Sequence, residues 1–584
     1  MKKNYKLIAF SAIFAFIIAF PFIFFFYPIR NVNLLVFLLV TLIFTFLIAY
    51  LYKSKDSLNS LSKQKRVSLY IFPPVFSTLA AFSIRSEQYF LLDNHLLVII
   101  AAFLGTILGF SIIAMAFIKL MLSFAPANDL KEVKVYKVLI YSLPMLIASL
   151  FMFISFYPGA MTPDSLQQWE QAQTQEFTNW HPVMFTWTIM FLTNIWNSPG
   201  IIALFQVSLF ALVTGFMGYM MERTGFKTIL IWVLLIMLAI SPINAIYSIT
   251  IWKDVIYSIS LLFFSLLLIL LVRTNGAESK KLSFLILLFI GSFILVFFRH
   301  NGFPVFVITM IPVLIMYRHM WKRLLPVTLL VIAAHQIITG PVYSALEVHP
   351  SDPQEALSIP TQQIANIVVN NGEMSVEQKE YINRLMPLEL WQEKYNPYAV
   401  DPIKFSWGDY DRWVIYDDWN QYFEIWAALV LQNPWLATEA FLNETSLVWQ
   451  MTMPEDYKMN RYVTNIYLGN EFGLVNTVIN PSFKKSALSY LEVENKFEEY
   501  LWRPAVYLFL STLLVYIAYL RNNWRVWLLL LPVALNTAAV MVAIPAQDFR
   551  YLFSNSLFFY ASLLISLMCF HPKVGLKNAK KRDN

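Results

Sequence analysis

Four short polar stretches interrupt a mostly apolar chain, and each carries residue types that handle phosphates or protons. The first runs from Tyr157 to Pro182 (YPGAMTPDSLQQWEQAQTQEFTNWHP) and holds Asp164 and His181. The second is Ile251-Trp252-Lys253-Asp254, and the third is Phe298-Arg299-His300-Asn301-Gly302. The fourth is Pro545-Ala546-Gln547-Asp548-Phe549-Arg550-Tyr551. A carboxylate held beside a bilayer can serve as a general base, because loss of water raises its proton affinity toward neutrality. Asp164 is the best placed for that role. Arg299 and Arg550 present the planar fork that matches phosphate oxygens. Lys253 and His300 are further candidate phosphate ligands, while Asp254 and His181 are placed to orient an acceptor, or Asp254 to help hold a metal. A reaction that expels a lipid phosphate needs such cations where negative charge develops.

Each stretch also has a plainer reading. Asp164 is expected to N-cap the short amphipathic helix bearing Leu166, Trp169 and Ala172, a role compatible with catalysis. Lys253 and Asp254 can form an ordinary loop ion pair, and Asp548 can simply pair with Arg550. Arg550 can snorkel among interfacial aromatics, and a lone His is more often structural than a ligand. No Gly-rich phosphate loop ending in GK[ST], no HExxH and no GxSxG is present. The seven His do not cluster, and the single cysteine, Cys569, excludes an intrachain disulfide and any Cys-based metal site.

The elements that must position these groups are membrane helices. Of 584 residues, 58% are hydrophobic and 14% charged, against about a quarter charged in a soluble domain. The apolar residues fall in blocks of about 17–25, long enough to cross a hydrocarbon core of about 30 Å. Lys6–Tyr27 follows the basic start Met1-Lys2-Lys3, lacks a small-residue cleavage site and runs into another apolar block, which predicts an uncleaved first helix. Lys and Arg concentrate at the N-terminus, 53–66, 129–137, 222–227, 273–281, 317–323, 521–525 and from Lys573 onward, which predicts that these segments face the cytoplasm. The four polar stretches, together with 28–31 and 85–94, then face outward. His181–Trp196 would break this alternation if it crossed, so it is expected to be interfacial, re-entrant or joined to the next helix. The expectation is an all-α polytopic protein of the cell membrane with about 14 transmembrane helices and both termini inside.

Residues 342–500 differ from the rest, with 23 acidic against 10 basic residues. They read as a translocated, mostly helical domain. Asp352-Pro353 and Pro360 are expected to bound a polar helix, Met374-Ser375-Val376-Glu377 to start another, and 434–450 to form an amphipathic helix on the membrane surface. The resulting division is a four-helix membrane extension (1–124), a membrane core with the polar loop 158–182 (125–341), the acidic domain (342–500), C-terminal membrane helices (501–572) and a basic tail (573–584). The net charge of +7 is accounted for by the inward loops, which argues against a nucleic-acid partner. The abundance of Lys, Asn, Ile and Phe is in keeping with a low-GC Gram-positive source.

At these polar stretches the sequence resembles the GT-C class of membrane glycosyltransferases, which includes protein O-mannosyltransferases and lipid A aminoarabinose transferases. Members carry an acidic residue in the first large outward loop followed by His-Pro or Lys-Pro, here matching Asp164 and His181-Pro182. A second acidic site matches Asp254, and an arginine near the last helices matches Arg550 in DFRY. More closely, the chain looks like an uncharacterised bacterial family of GT-C-like proteins through Pro158–Ser165, Asn179–Pro182, Ile251–Asp254, Phe298–Gly302, Ile359–Ala365 and Asp401–Lys404. The resemblance spans most of 136–560 and leaves the first four helices unexplained. It implies sugar transfer from a polyprenyl-phosphate donor, within the lipid bilayer, to a cell-wall polymer, a glycolipid or a protein. The loop has one Asp without a DxD or DE pair, so the transfer it implies is inverting and independent of a divalent metal, with no cofactor. Asp164 would be the base, and Lys253, Arg299 and Arg550 would steady the phosphate. Three other readings compete: an O-antigen-type polymerase or ligase that depends on loop Arg and His, a lipid-linked-sugar flippase or other transporter, and a non-enzymatic assembly protein working through 342–500. Transporters place charges near the midplane in matched halves, whereas here the charges lie toward one surface.

Overall fold

The computed structural model describes residues 2–26, 33–53, 61–84, 95–127, 130–454, 457, 459, 461–494 and 498–570. The expected loops 28–31 and 85–94, much of 53–66 and the basic tail from Lys573 lie outside the described residues. Those described form helices and loops, with only isolated β-bridges between extended segments.

Four helices come first: α1 (Lys2–Phe26), α2 (Leu34–Lys53), α3 (Lys63–Ile84) and α4 (Leu96–Ser123). The bundle continues with α5 (Lys137–Ser155), the short α6 (Pro163–Thr174) and α7 (Val183–Thr193), then α8 (Pro199–Arg223), α9 (Thr228–Ala239), α10 (Lys253–Arg273), α11 (Leu282–Phe297), α12 (Gly302–Met316) and α13 (Trp321–Ile337). Among the described residues nine helices are long and apolar enough to cross a membrane: α1 to α5, α8, α10, α13 with its flanks (Arg318–Ala345) and the later helix Pro504–Arg521. Shorter apolar helices, α7, α9, α11 and α12 among them, pack between these. At 1.5 Å per residue the 11-residue α7 reaches only about 16 Å, too short to cross alone.

α10 is the axis of the bundle. It is apolar on every side, and all its residues except Lys253 and Phe263 are buried. A helix without a polar face is stable only where neighbours cover its whole circumference. Its Ser258 and Ser265 hydroxyls return to the carbonyls of Asp254 and Leu261, so they leave no unpaired donor in the core. At its far end the ion pairs Arg223–Glu278, Lys281–Glu278 and Lys137–Glu222 gather. Its near end begins with Lys253-Asp254.

After α13 the chain leaves the bundle and forms a helical cap with its own core of Ile364, Tyr381, Trp391, Ile403, Ile415 and Leu429. The cap contains α14 (Ser358–Val369), α15 (Val376–Leu385), α16 (Asp401–Lys404), α17 (Trp419–Gln432) and α18 (Pro434–Glu444). Ser375 caps α15 in a reciprocal pair with Gln378, at the expected start. Pro360 does not end a helix. It sits in the first turn of α14, where its missing N–H costs nothing. The stretch 434–450, expected to form an amphipathic helix on the membrane surface, packs one face into the cap and leaves Trp435 and Leu442 exposed on the other. Ala437 and Ala440 are buried, Asn366 donates to the carbonyl of Leu436, and Leu447 and Val448 enter the membrane core. Small residues on α18 permit the close approach to α14.

The chain then re-enters the bundle as α19 (Pro504–Arg521), α20 (Leu531–Val542) and α21 (Phe553–Leu567). Of the first four helices, α3 and α4 dock on α19: Phe72 stacks on Tyr516 with ring centroids 3.7 Å apart, Lys65 donates to the carbonyls of Leu520 and Asn522, and Ile118 packs in the same cluster. The cap is fastened to the segment just ahead of α21. Val400 N–H donates to Pro545 O at 3.0 Å, Gln547 Nε2 to Glu444 O at 2.8 Å, and Ser446 Oγ to Gln547 Oε1 at 3.1 Å.

A candidate active site at the end of the central helix

The loop carrying Asp164 is held as an extended strip between two other segments. Ala160 exchanges backbone bonds with Ile249 and Ile251, and Met161 with Asn465 and Tyr467. Entry into the strip requires Gly159, whose φ of 126° is closed to most side chains and whose Cβ position would lie 3.0 Å from Ile249 O. Asn476 bonds the carbonyls of Phe156, Tyr157 and Gly159. Gln206, fully buried, donates to those of Tyr247, Ser248 and Thr250. The starts of α6 and α10 are thereby joined: Ser165 Oγ donates to Ile251 O at 2.6 Å, and Trp252 Nε1 to Thr162 Oγ1 at 2.8 Å.

Thr162, not Asp164, is the N-cap of α6. Asp164 and Asp254 each occupy the first turn of their helix, where unpaired N–H groups favour negative charge. Capping therefore does not account for Asp164, whose carboxylate points to a partner 386 residues away: Arg550 Nη1 donates to Oδ2 at 2.6 Å. Arg550 also lies 3.0 Å from Asp548 Oδ2 and sits over the rings of Trp252 (5.0 Å) and Tyr551 (5.2 Å). Asp254, 2% exposed, pairs with Arg299 at 3.3 Å and Lys253 at 3.5 Å. Arg299 further donates to Tyr551 O at 2.6 Å. His181 Nε2 stands 3.8 Å from Asp164 Oδ2, with its ring stacked on Trp180.

All four polar stretches thus meet in one charged cluster walled by aromatic rings. The expected loop ion pair Lys253–Asp254 is real but belongs to this larger group, and Arg550 does not snorkel: it is enclosed and bridges two carboxylates. His300 is tied elsewhere. Its Nε2 contacts Asn179 O at 3.1 Å and fastens the 177–181 loop, so that nitrogen is not free for a phosphate.

The electrostatics correct one expectation. Burial of Asp164 does oppose its ionisation, but Arg550 and Lys253 outweigh it and hold the carboxyl well below the usual carboxylate range. Burial and the neighbouring Lys253 lower His181 to about 3, so its ring is neutral at physiological pH. Burial raises Asp548 to about 6 against the pull of Arg550. Among the described residues no three His, Cys, Asp or Glu side chains are grouped to hold a metal ion. The sequence pointed to the cations and acids, whereas the supports Asn476 and Gln206 gave no signal, being single amides in unremarked loops or helices.

Fold and site together define a helical multi-pass membrane protein with a buried ion cluster where its central helix begins. The chain belongs to a family of unknown function, DUF6020, whose model matches residues 13–582. That match takes in the first four helices, which the sequence resemblance had left unexplained, so the extension is part of the family's architecture. No curated protein and no solved structure matches the chain.

Proposed function

We propose that this protein is a GT-C-like glycosyltransferase of about fourteen crossings with both termini inside the cell. It moves a sugar from a polyprenyl-phosphate donor to a cell-envelope acceptor on the outer face. The observation that carries this reading is the convergence of Lys253, Arg299 and Arg550 with Asp164 and Asp254 at one end of the apolar bundle. A lipid phosphate must be met by cations at the edge of the hydrocarbon, and an acceptor hydroxyl by a carboxylate beside them. A cleft of about 250 Å³ runs along α6 between Gln167, Glu170, Tyr467, Asn470 and Glu471, and offers a polar approach for a hydroxylated acceptor.

In the transfer, the acceptor oxygen attacks the anomeric carbon and the carbon–oxygen bond to the phosphate breaks. The electron pair stays on the phosphate oxygen, where Lys253, Arg299 and Arg550 stabilise it. Phosphate entering Arg550's fork competes with Asp164, freeing that carboxylate to accept a hydrogen bond from the acceptor hydroxyl. The hydroxyl proton passes to a carboxylate of the site. The test is consumption of a radiolabelled polyprenyl-phosphate sugar by membranes containing the wild type or Asp164→Asn at equal expression, with envelope glycans compared in parallel. Donor loss in the wild type with at least a 100-fold fall in the variant is expected. A donor left intact by the wild type across the common hexosyl and pentosyl carriers overturns the reading.

A further inference from the structure

Three of the carboxylates described at the site are neutralised by close cations: Asp164 by Arg550, Asp254 by Lys253 and Arg299, and Asp548 by Arg550. Asp164 and Asp254, held by these cations, bind a proton weakly, and Asp548, although burial raises it to about 6, has both oxygens engaged by Arg550. The cap supplies a fourth. α16 is pinned against the site from two sides: Val400, just before it, donates to Pro545 O at 3.0 Å, and the ring of Phe405, just after it, lies 6.0 Å from that of Trp180. Pro545 precedes Asp548 by three residues and Trp180 adjoins His181, and Asp401 at the head of α16 lies close enough to Asp164 and Tyr551 to interact with them electrostatically. We infer that Asp401 is the carboxylate that takes the proton from the acceptor hydroxyl. This rests on the transferase reading and names its base.

The surroundings of Asp401 suit the task. Its Oδ1 is buried and accepts no hydrogen bond from the described residues. The nearest cation, Lys404, stands 3.6 Å away, but its ammonium is bonded at 2.6 Å to Glu355. The titratable groups that face Asp401 are Lys404 on its own helix, Glu355 from the preceding cap turn, Glu444 at the end of α18, Tyr457 beyond it, Asp164 on α6 and Tyr551 after the DFR segment. Burial raises Asp401, Glu355 and Asp164 add to the rise, and Lys404 opposes it, leaving the carboxyl at about 6. That matches a general base working near neutral pH. Asp164 keeps the acceptor aligned, and after transfer the proton leaves Asp401 to solvent through its exposed side.

The experiment uses the full-length protein in lipid nanodiscs. Dicyclohexylcarbodiimide, which modifies protonated carboxyls in water-poor sites, is applied from pH 5 to pH 8 with and without polyprenyl phosphate, and labelled peptides are identified by mass spectrometry. In parallel, donor consumption is followed against pH for the wild type, Asp401→Asn and Asp401→Glu. Labelling of Asp401 is expected to fall with a midpoint near pH 6 and to change when polyprenyl phosphate is bound. The wild-type rate is expected to rise through the same midpoint. Asp401→Asn should lose about 100-fold or more in kcat and lose the pH step with donor KM little changed, and Asp401→Glu should recover part of both. An Asp401→Asn protein that keeps the wild-type rate and pH step overturns the inference and leaves the transferase reading intact. A wild type that consumes no donor overturns the transferase reading and, with it, the role of Asp401 in transfer, even where Asp401 still titrates and responds to polyprenyl phosphate. An Asp401 that resists labelling at every pH, or ignores the lipid phosphate, overturns the inference whatever the rates.

Discussion

Replacing Arg550 by Gln removes the one side chain that bridges Asp164 and Asp548. Asp548 is enclosed and Asp164 partly so, with side chains 9% and 28% exposed, and breaking a buried pair by deleting one partner costs up to about 3–5 kcal/mol. With an unfolding entropy of about 2.1 cal/mol/K per residue, that amounts to a fall of about 2–4 °C in Tm for a chain of 584 residues. The loss must depend on pH. Without Arg550 both carboxyls gain proton affinity, so at pH 5 they protonate and recover part of the stability, while at pH 8 they remain charged and unpaired. The assay is thermal unfolding of the purified full-length variant at pH 5 and pH 8, with Arg550→Lys alongside. The lysine keeps the charge but lacks the planar fork whose separate N–H groups reach the two carboxylates, so it should fall between the wild type and Arg550→Gln. A Tm unchanged at both pH values, or a larger loss at pH 5 than at pH 8, would refute the pairing.

Gly159→Ala should cost about 1–3 kcal/mol, because φ of 126° admits few side chains and the new methyl would press on Ile249 O; a wild-type Tm for this variant would show that the strip tolerates another path. Asn476→Ala leaves the carbonyls of Phe156, Tyr157 and Gly159 and the N–H of Ile466 without that side chain, and should speed amide exchange at Ile466 and Met161 by at least about tenfold, read by hydrogen-exchange mass spectrometry. For Asp548, the folded carboxyl is raised to about 6 against about 3.9 when unfolded, so folding takes up a proton between those values and stability falls as pH rises through that window. Asp548→Asn should make Tm less dependent on pH between 4 and 6, and a profile identical to the wild type would count against a raised Asp548.

The site was legible in the sequence where physics leaves little freedom. A charge beside an apolar span cannot sit in lipid, so Lys253-Asp254, Arg299 and Arg550 had to gather at helix ends, and they do. What each would pair with was not legible, because Asp164 and Arg550 are joined only by the packing of α6 against the segment before α21. Reading Asp164 as desolvated and raised followed from burial alone, whereas the deciding influence is a guanidinium supplied by a distant segment. Asp401 lay in a quoted motif, Asp401–Lys404, but only the Val400–Pro545 bond shows that this turn reaches the membrane end. The 434–450 stretch was legible as amphipathic, but its Trp and Leu pattern did not show that Ala437 and Ala440 pack into the cap.

The bond between Asp164 and Arg550 also sets a clock on biogenesis. At about 5–20 residues per second, the 386 residues between them take the ribosome roughly 20–80 s to add. Asp254 can find Lys253 at once and Arg299 soon after, but Asp164 has to wait, a charged side chain without its arginine, until the last helices insert. A chain stopped short of Arg550 would carry that unmet carboxylate permanently.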